Sequence, residues 1–189
     1  MSIKEKAPVV PTPVASVRPV AAQWLAVLRI GVGLVFLWAF VDKLFGLGYA
    51  TPAAHSWLSG GSPTKGFLGN VDVGPFQSMF HAWAGAWWVD WLFMLGLLGI
   101  GAAVTLGVAL RLSAVAGTIM MLLMWAAEWP LAQTTAAGAP SGSTNPLIDY
   151  HIVFALVLIV AAMFSAGAMW GLGKWWDRLA LVRVNPWLR

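Results

Sequence analysis

The chain has 189 residues, 60% of them hydrophobic and 10% charged, with a formal net charge of +4 and no cysteine. A soluble domain carries roughly a quarter of its residues as charge, and a chain this short has too little interior to hide so much apolar surface. The composition therefore argues against a soluble enzyme, and the missing cysteine excludes disulfides, thiolate metal sites and a CxxC redox couple. The bilayer is the natural place for this surface, and thirteen tryptophans suit its boundary with water.

Residues 1–18 carry Lys4, Lys6 and Arg18 among Pro8, Pro11 and Pro13. They read as a cytoplasmic tail without a fold of its own. A first span is expected over 21–45, with Pro19 near its start and Gly46 and Gly48 as stop signals. The segment after it opens as loop, with Pro52, Gly60, Gly61 and Pro63. Phe76, Met79, Phe80 and Trp83 then follow helical spacing behind Pro75, which predicts an interfacial amphipathic helix before the second span.

Spans two and three are expected over 91–110 and 112–129, joined at Arg111 by almost no loop. Gly99, Ala103 and Gly107 make a small-residue row that suits close helix packing. A linker rich in Ala, Gly, Ser and Thr follows. Asn145 as N-cap and Pro146 at the first helical position then open span four, expected over 147–170. The fold class is thus all-α, a four-helix membrane domain over 19–176, with 177–189 as a surface tail. Lys and Arg outside the spans concentrate in the two tails and at Arg111, while the other side has Lys65 and Lys43. The positive-inside rule then puts both termini in the cytoplasm. The same distribution accounts for the net charge through topology and lipid headgroups, so no nucleic-acid partner is expected.

This topology collects the acidic residues at the outer face. Asp42 ends span one, Asp90 begins span two, Glu128 ends span three and Asp149 begins span four, with Lys43, His81 and His151 nearby. Charges near hydrocarbon are costly and tend to face a partner, a cavity or a ligand. Asp149 and Asp90 also have a structural reading, since a carboxylate in a first helical turn is favoured by the dipole. Glu128 has no such excuse, because it sits at a helix C-terminus. It continues the stripe Gly117, Met121, Met124, and its expected partner is Lys43 or His151. His151 follows Asp149 by two residues, on roughly the opposite helix face, so only one of the two is expected to point inward. Arg29 belongs to the other side of the membrane, where it would snorkel or brace the inner end of span one. No phosphate loop, HExxH or GxSxG occurs, and the spacings carry no metal signature.

Three stretches resemble the DoxX family. They are Leu28-Arg29-Ile30-Gly31 with Phe36 through Asp42-Lys43-Leu44, then Asn145 to His151, and the closing Trp170-Gly171-Leu172-Gly173-Lys174-Trp175-Trp176. The family includes the DoxD-like membrane subunit of thiosulfate:quinone oxidoreductase, which works with a second subunit. Other members are scaffolds in oxidative-stress assemblies. The resemblance implies a quinone as cofactor, a small sulfur oxyanion as substrate, a second protein subunit as partner, and no metal. It supports Arg29, Lys43, Asp149 and His151 as family-type positions. Under this reading Glu128 and His151 handle protons, and Arg29, Asp42, Lys43 and Asp149 bind quinone or substrate. A non-catalytic scaffold is the alternative. A transporter fits less well, because four spans without a broken helix or an internal repeat lack its usual architecture.

Overall fold

A computed structural model describes residues 18–189. Of the expected N-terminal tail, only Arg18 falls within it. The described residues are all-α, with one isolated bridge between Thr134 and Pro140. Three helices are long and apolar enough to cross a membrane: α1 (Pro19–Phe45), α4 (Trp87–Leu106) and α5 (Leu110–Glu128). Between α1 and α4 lie the short helices α2 (Lys65–Gly69) and α3 (Gln77–Trp83). The apolar α6 (Tyr150–Met163) follows, then α7 (Gly173–Trp176) and α8 (Ala180–Val184) on the tail.

Local chemistry sets these limits. α1 has Pro at its start and stops at Gly46, whose left-handed backbone lets its N–H reach Asp42 O at 2.7 Å. α4 stops at Leu106, capped by Gly107 (φ 74), four residues before the expected end of span two. Gly167 packs on the Gly107 backbone so closely that a Cβ on Gly167 would collide with Gly107 O. α5 ends at Trp129 in the left-handed region, followed by Pro130.

The expected fourth span is corrected at both ends. Asn145 does cap, but it caps a turn, accepting from the N–H groups of Leu147 and Ile148. The helix itself begins one residue after Asp149, whose extended backbone and carboxylate bonds to the N–H groups of His151 and Ile152 make it the N-cap. At the far end Ser165 turns left-handed (φ 49), so the helix has 14 residues.

α1 packs on α4 and α6, and α5 packs on α4 and α6. Consecutive members run antiparallel: Gly33 meets Thr105 and Gly101 meets Leu37, while Gly117 meets Leu158. The close approaches therefore use Gly33, Gly101 and Gly117. Of the expected row, Gly99 faces open space and Gly107 lies just past the helix. A core of Phe36, Met94, Leu97, Ile100, Val104, Met121 and Leu158 fills the centre. The outward faces stay apolar, with Leu34, Leu92, Leu95, Val115 and Leu156 exposed. Helices apolar all round suit lipid.

Leu68, Val71 and Phe80 of the segment between α1 and α4 form a second core with Val89 of α4 and Ala127 of α5. The expected amphipathic helix is α3, which buries Phe80 and packs Met79 and Trp83 into this cluster. Asp72 accepts from Ala136 N–H at 2.8 Å and so ties this segment to the linker after α5.

Candidate functional site

The antiparallel packing does place Asp42, Asp90, Glu128 and Asp149 at the same end of the long helices, but it does not converge them all. The Asp42 carboxylate is buried and accepts from the N–H groups of Tyr49 (3.4 Å) and Ala50 (3.0 Å), closing the loop after α1. Asp90 accepts from Ser62 Oγ, Thr64 Oγ1 and Thr64 N–H, holding the outer segment onto α4. His81 Nε2 lies 2.8 Å from Val71 O. Each of these is accounted for by local structure. Lys43 is half-buried and makes no hydrogen bond or ion pair among the described residues.

What does converge is the start of α6 with the end of α5. His151 is fully buried, and its Nδ1 lies 2.8 Å from Asp149 Oδ2 and 3.9 Å from Glu128 Oε2. Tyr150 donates its hydroxyl to Glu128 Oε1 at 2.8 Å, and its ring lies 3.9 Å from the His151 ring between centroids. The expectation that Asp149 and His151 point to opposite faces is overturned. That geometry holds for two residues inside a helix, whereas Asp149 is the N-cap and folds back over the first turn.

This arrangement fixes the histidine's chemistry. A carboxylate only accepts, so Nδ1 carries the proton that faces Asp149. In the neutral ring Nε2 then keeps its lone pair. That atom is buried and has no hydrogen-bond partner. Buried polar atoms are nearly always paired, so an orphan of this kind calls for an explanation. Glu128, with its side chain 37% exposed, connects the group to the surface.

Glu128, Asp149 and His151 also bring ligand-type atoms within 4.8 Å of one another, a grouping their sequence spacing did not announce. The bonds among Asp149, His151, Tyr150 and Glu128 account for those atoms without an ion. Tyr150 was missed in the sequence. The signal was its place between two candidate residues, with a hydroxyl able to bridge to the preceding helix.

Arg29 lies at the opposite end. It is 0% exposed and donates to the carbonyls of Val104, Thr105 (2.6 Å) and Trp170 (3.0 Å), with a longer contact to Met169 O (3.4 Å). The last carbonyls of α4 have no intrahelical donors and carry the negative end of the dipole, so the guanidinium caps that helix. It braces and does not snorkel. The structure does not bring it together with the histidine group.

The helices and their apolar faces define a multi-pass membrane protein. The DoxX family model matches residues 24–129, more than half of the chain, and the chain belongs to the DoxX family. No curated protein and no solved structure matches it.

Proposed function

We propose that this protein is a quinone-handling membrane subunit of a redox complex, with the Asp149–His151 pair as its proton-transfer site. The observation that carries the reading is the buried, unpartnered Nε2 of a histidine whose other nitrogen is held by a carboxylate. A bound quinone accepts two electrons and two protons, so its site needs a group that can give and take a proton away from water. His151 fits: its Nε2 exchanges the proton, and Asp149 orients the ring, as a carboxylate does for a general base. Glu128 exchanges protons with the exposed face, and the Tyr150 hydroxyl holds its carboxylate in place. Lys43, a cation at the same end with no ion pair among the described residues, would attract a sulfur oxyanion. With no cysteine in the chain, thiolate chemistry on such a substrate falls to a second subunit.

In this reading α1, α4, α5 and α6 form a four-span bundle with both termini in the cytoplasm. α6 crosses together with its flanking segments. Arg111, Lys174, Arg178, Arg183 and Arg189 gather at the inner end, as the positive-inside rule asks. The scaffold alternative draws on Trp87, 76% exposed at the outer start of α4, beside Trp88.

The test is titration of the full chain in nanodiscs with decylubiquinone, followed by tryptophan quenching. Saturable quenching that is lost in His151→Gln supports the site. Quenching that rises linearly and equally in both proteins would falsify it and favour the scaffold.

A further inference from the structure

A groove of about 540 Å³ runs between α5 and α6 at the end away from His151. Its walls are Ala114, Val115, Thr118 and Ile119 from α5, with Ile159, Ala162 and Met163 from α6. Val115, Ile119 and Met163 are each more than half exposed, so the groove opens sideways, toward hydrocarbon in a bilayer.

The mouth is positive. Arg111 closes one end of the groove and also lines a smaller, more polar hollow with Ser165, Asp177 and Arg189. The Arg111 side chain is exposed, and its guanidinium gives one bond, at 3.0 Å, to Pro186 O. Its other guanidinium donors have no partner among the described residues. Arg189 lies 3.7 Å from Asp177, the one acidic side chain in this hollow. Ala109 and Leu110 line it too, at the start of α5, where the Arg111 N–H donates to Arg189 O at 2.7 Å and ties the tail to the hollow.

We propose that the groove holds one anionic glycerophospholipid, with an acyl chain along the α5–α6 seam and the phosphate at Arg111. An apolar trough that ends in a cation matches the order of chemistry along such a molecule. A second copy of the chain fits poorly. Two copies inserted in the same direction would bring their Arg111 side chains to one level, like charge against like.

The experiment is native mass spectrometry of the full chain exchanged into micelles with phosphatidylglycerol or phosphatidylcholine. Wild type should retain one phosphatidylglycerol about fivefold over phosphatidylcholine, the ratio expected for one basic side chain at a headgroup. Arg111→Gln should remove the preference, and Val115→Trp, which fills the trough from an exposed position, should remove retention of both lipids. Equal retention of the two lipids by wild type overturns the proposal, as does phosphatidylglycerol retention undiminished in Val115→Trp. A dimer cross-linked through Ile119→Cys in place of bound lipid would assign the groove to a second copy and overturn it as well.

Discussion

Arg29 and His151 are both fully buried, at opposite ends of the same helices, and their surroundings differ in kind. The guanidinium reaches carbonyls of two segments, and only its Nε lacks a partner. Gly107 and Gly171 leave room for it, since a Cβ at either would stand about 3 Å from its nitrogens. The imidazole has one nitrogen held and the other, half of its chemistry, left free. A buried polar group that is nearly saturated holds a fold together. One deliberately half-satisfied has capacity left for a ligand or a proton.

The comparison can be broken most forcefully at Arg29. Arg29→Leu strips the donors from the end of α4 and from the Trp170 turn, and should cost about 2–6 kcal/mol, at roughly 1–3 kcal/mol for each of the Thr105 and Trp170 carbonyls left without its donor. Thermal unfolding in detergent would read this as collapse of the folded fraction. Arg29→Lys should recover little, because an ammonium cannot reach carbonyls on two sides as a planar fork does. A variant with wild-type stability would show that the carbonyls find other partners.

At the other end the effect should appear in function. His151→Gln should leave the helices intact and lower quinone-linked proton transfer by roughly 10²–10⁴-fold, the usual contribution of a positioned acid–base group. Stopped-flow quinol oxidation with the partner complex present would measure it, and an unchanged rate removes His151 from the chemistry.

Asp149 sharpens the contrast, because one carboxylate does both jobs. Asn caps helices about as well as Asp, whereas Ala costs about 1 kcal/mol. Asp149→Asn should therefore keep the unfolding midpoint and still reduce turnover, while Asp149→Ala lowers both. Equal turnover in wild type and Asp149→Asn would make the residue a cap and nothing more. The smallest effect is expected from Tyr150→Phe. It removes one partly exposed hydrogen bond to Glu128, worth about 1 kcal/mol, and the helical signal on heating should shift slightly.

The long helices were legible because their stops are chemical. Gly46 and Trp129-Pro130 mark ends that hydrophobic spacing alone would blur. The fourth helix was overrun at both ends for a related reason. Asn145-Pro146 has the composition of a helix start, and the backbone used it for a turn. The acidic residues could be placed at one end by counting spans, but their partners could not. Asp42 and Asp90 are occupied by loop N–H and hydroxyl groups that sequence spacing does not bring near. The Asp149–His151 contact stayed hidden because face-counting treats both as helical. Tyr150 went unread because its hydroxyl matters only once α5 and α6 lie side by side.

The bracing of Arg29 also sets an order of events during synthesis. Its acceptors lie 75 and 141 positions further along the chain. At a translation rate of about 5–20 residues per second, α1 must wait on the order of ten seconds with an unmatched cation before the Trp170 turn exists. An arginine alone on a spanning helix is expensive. A helix made before its acceptors therefore settles only with them, and nascent chains arrested before Met169 should be extracted from membranes at milder alkali than the finished protein.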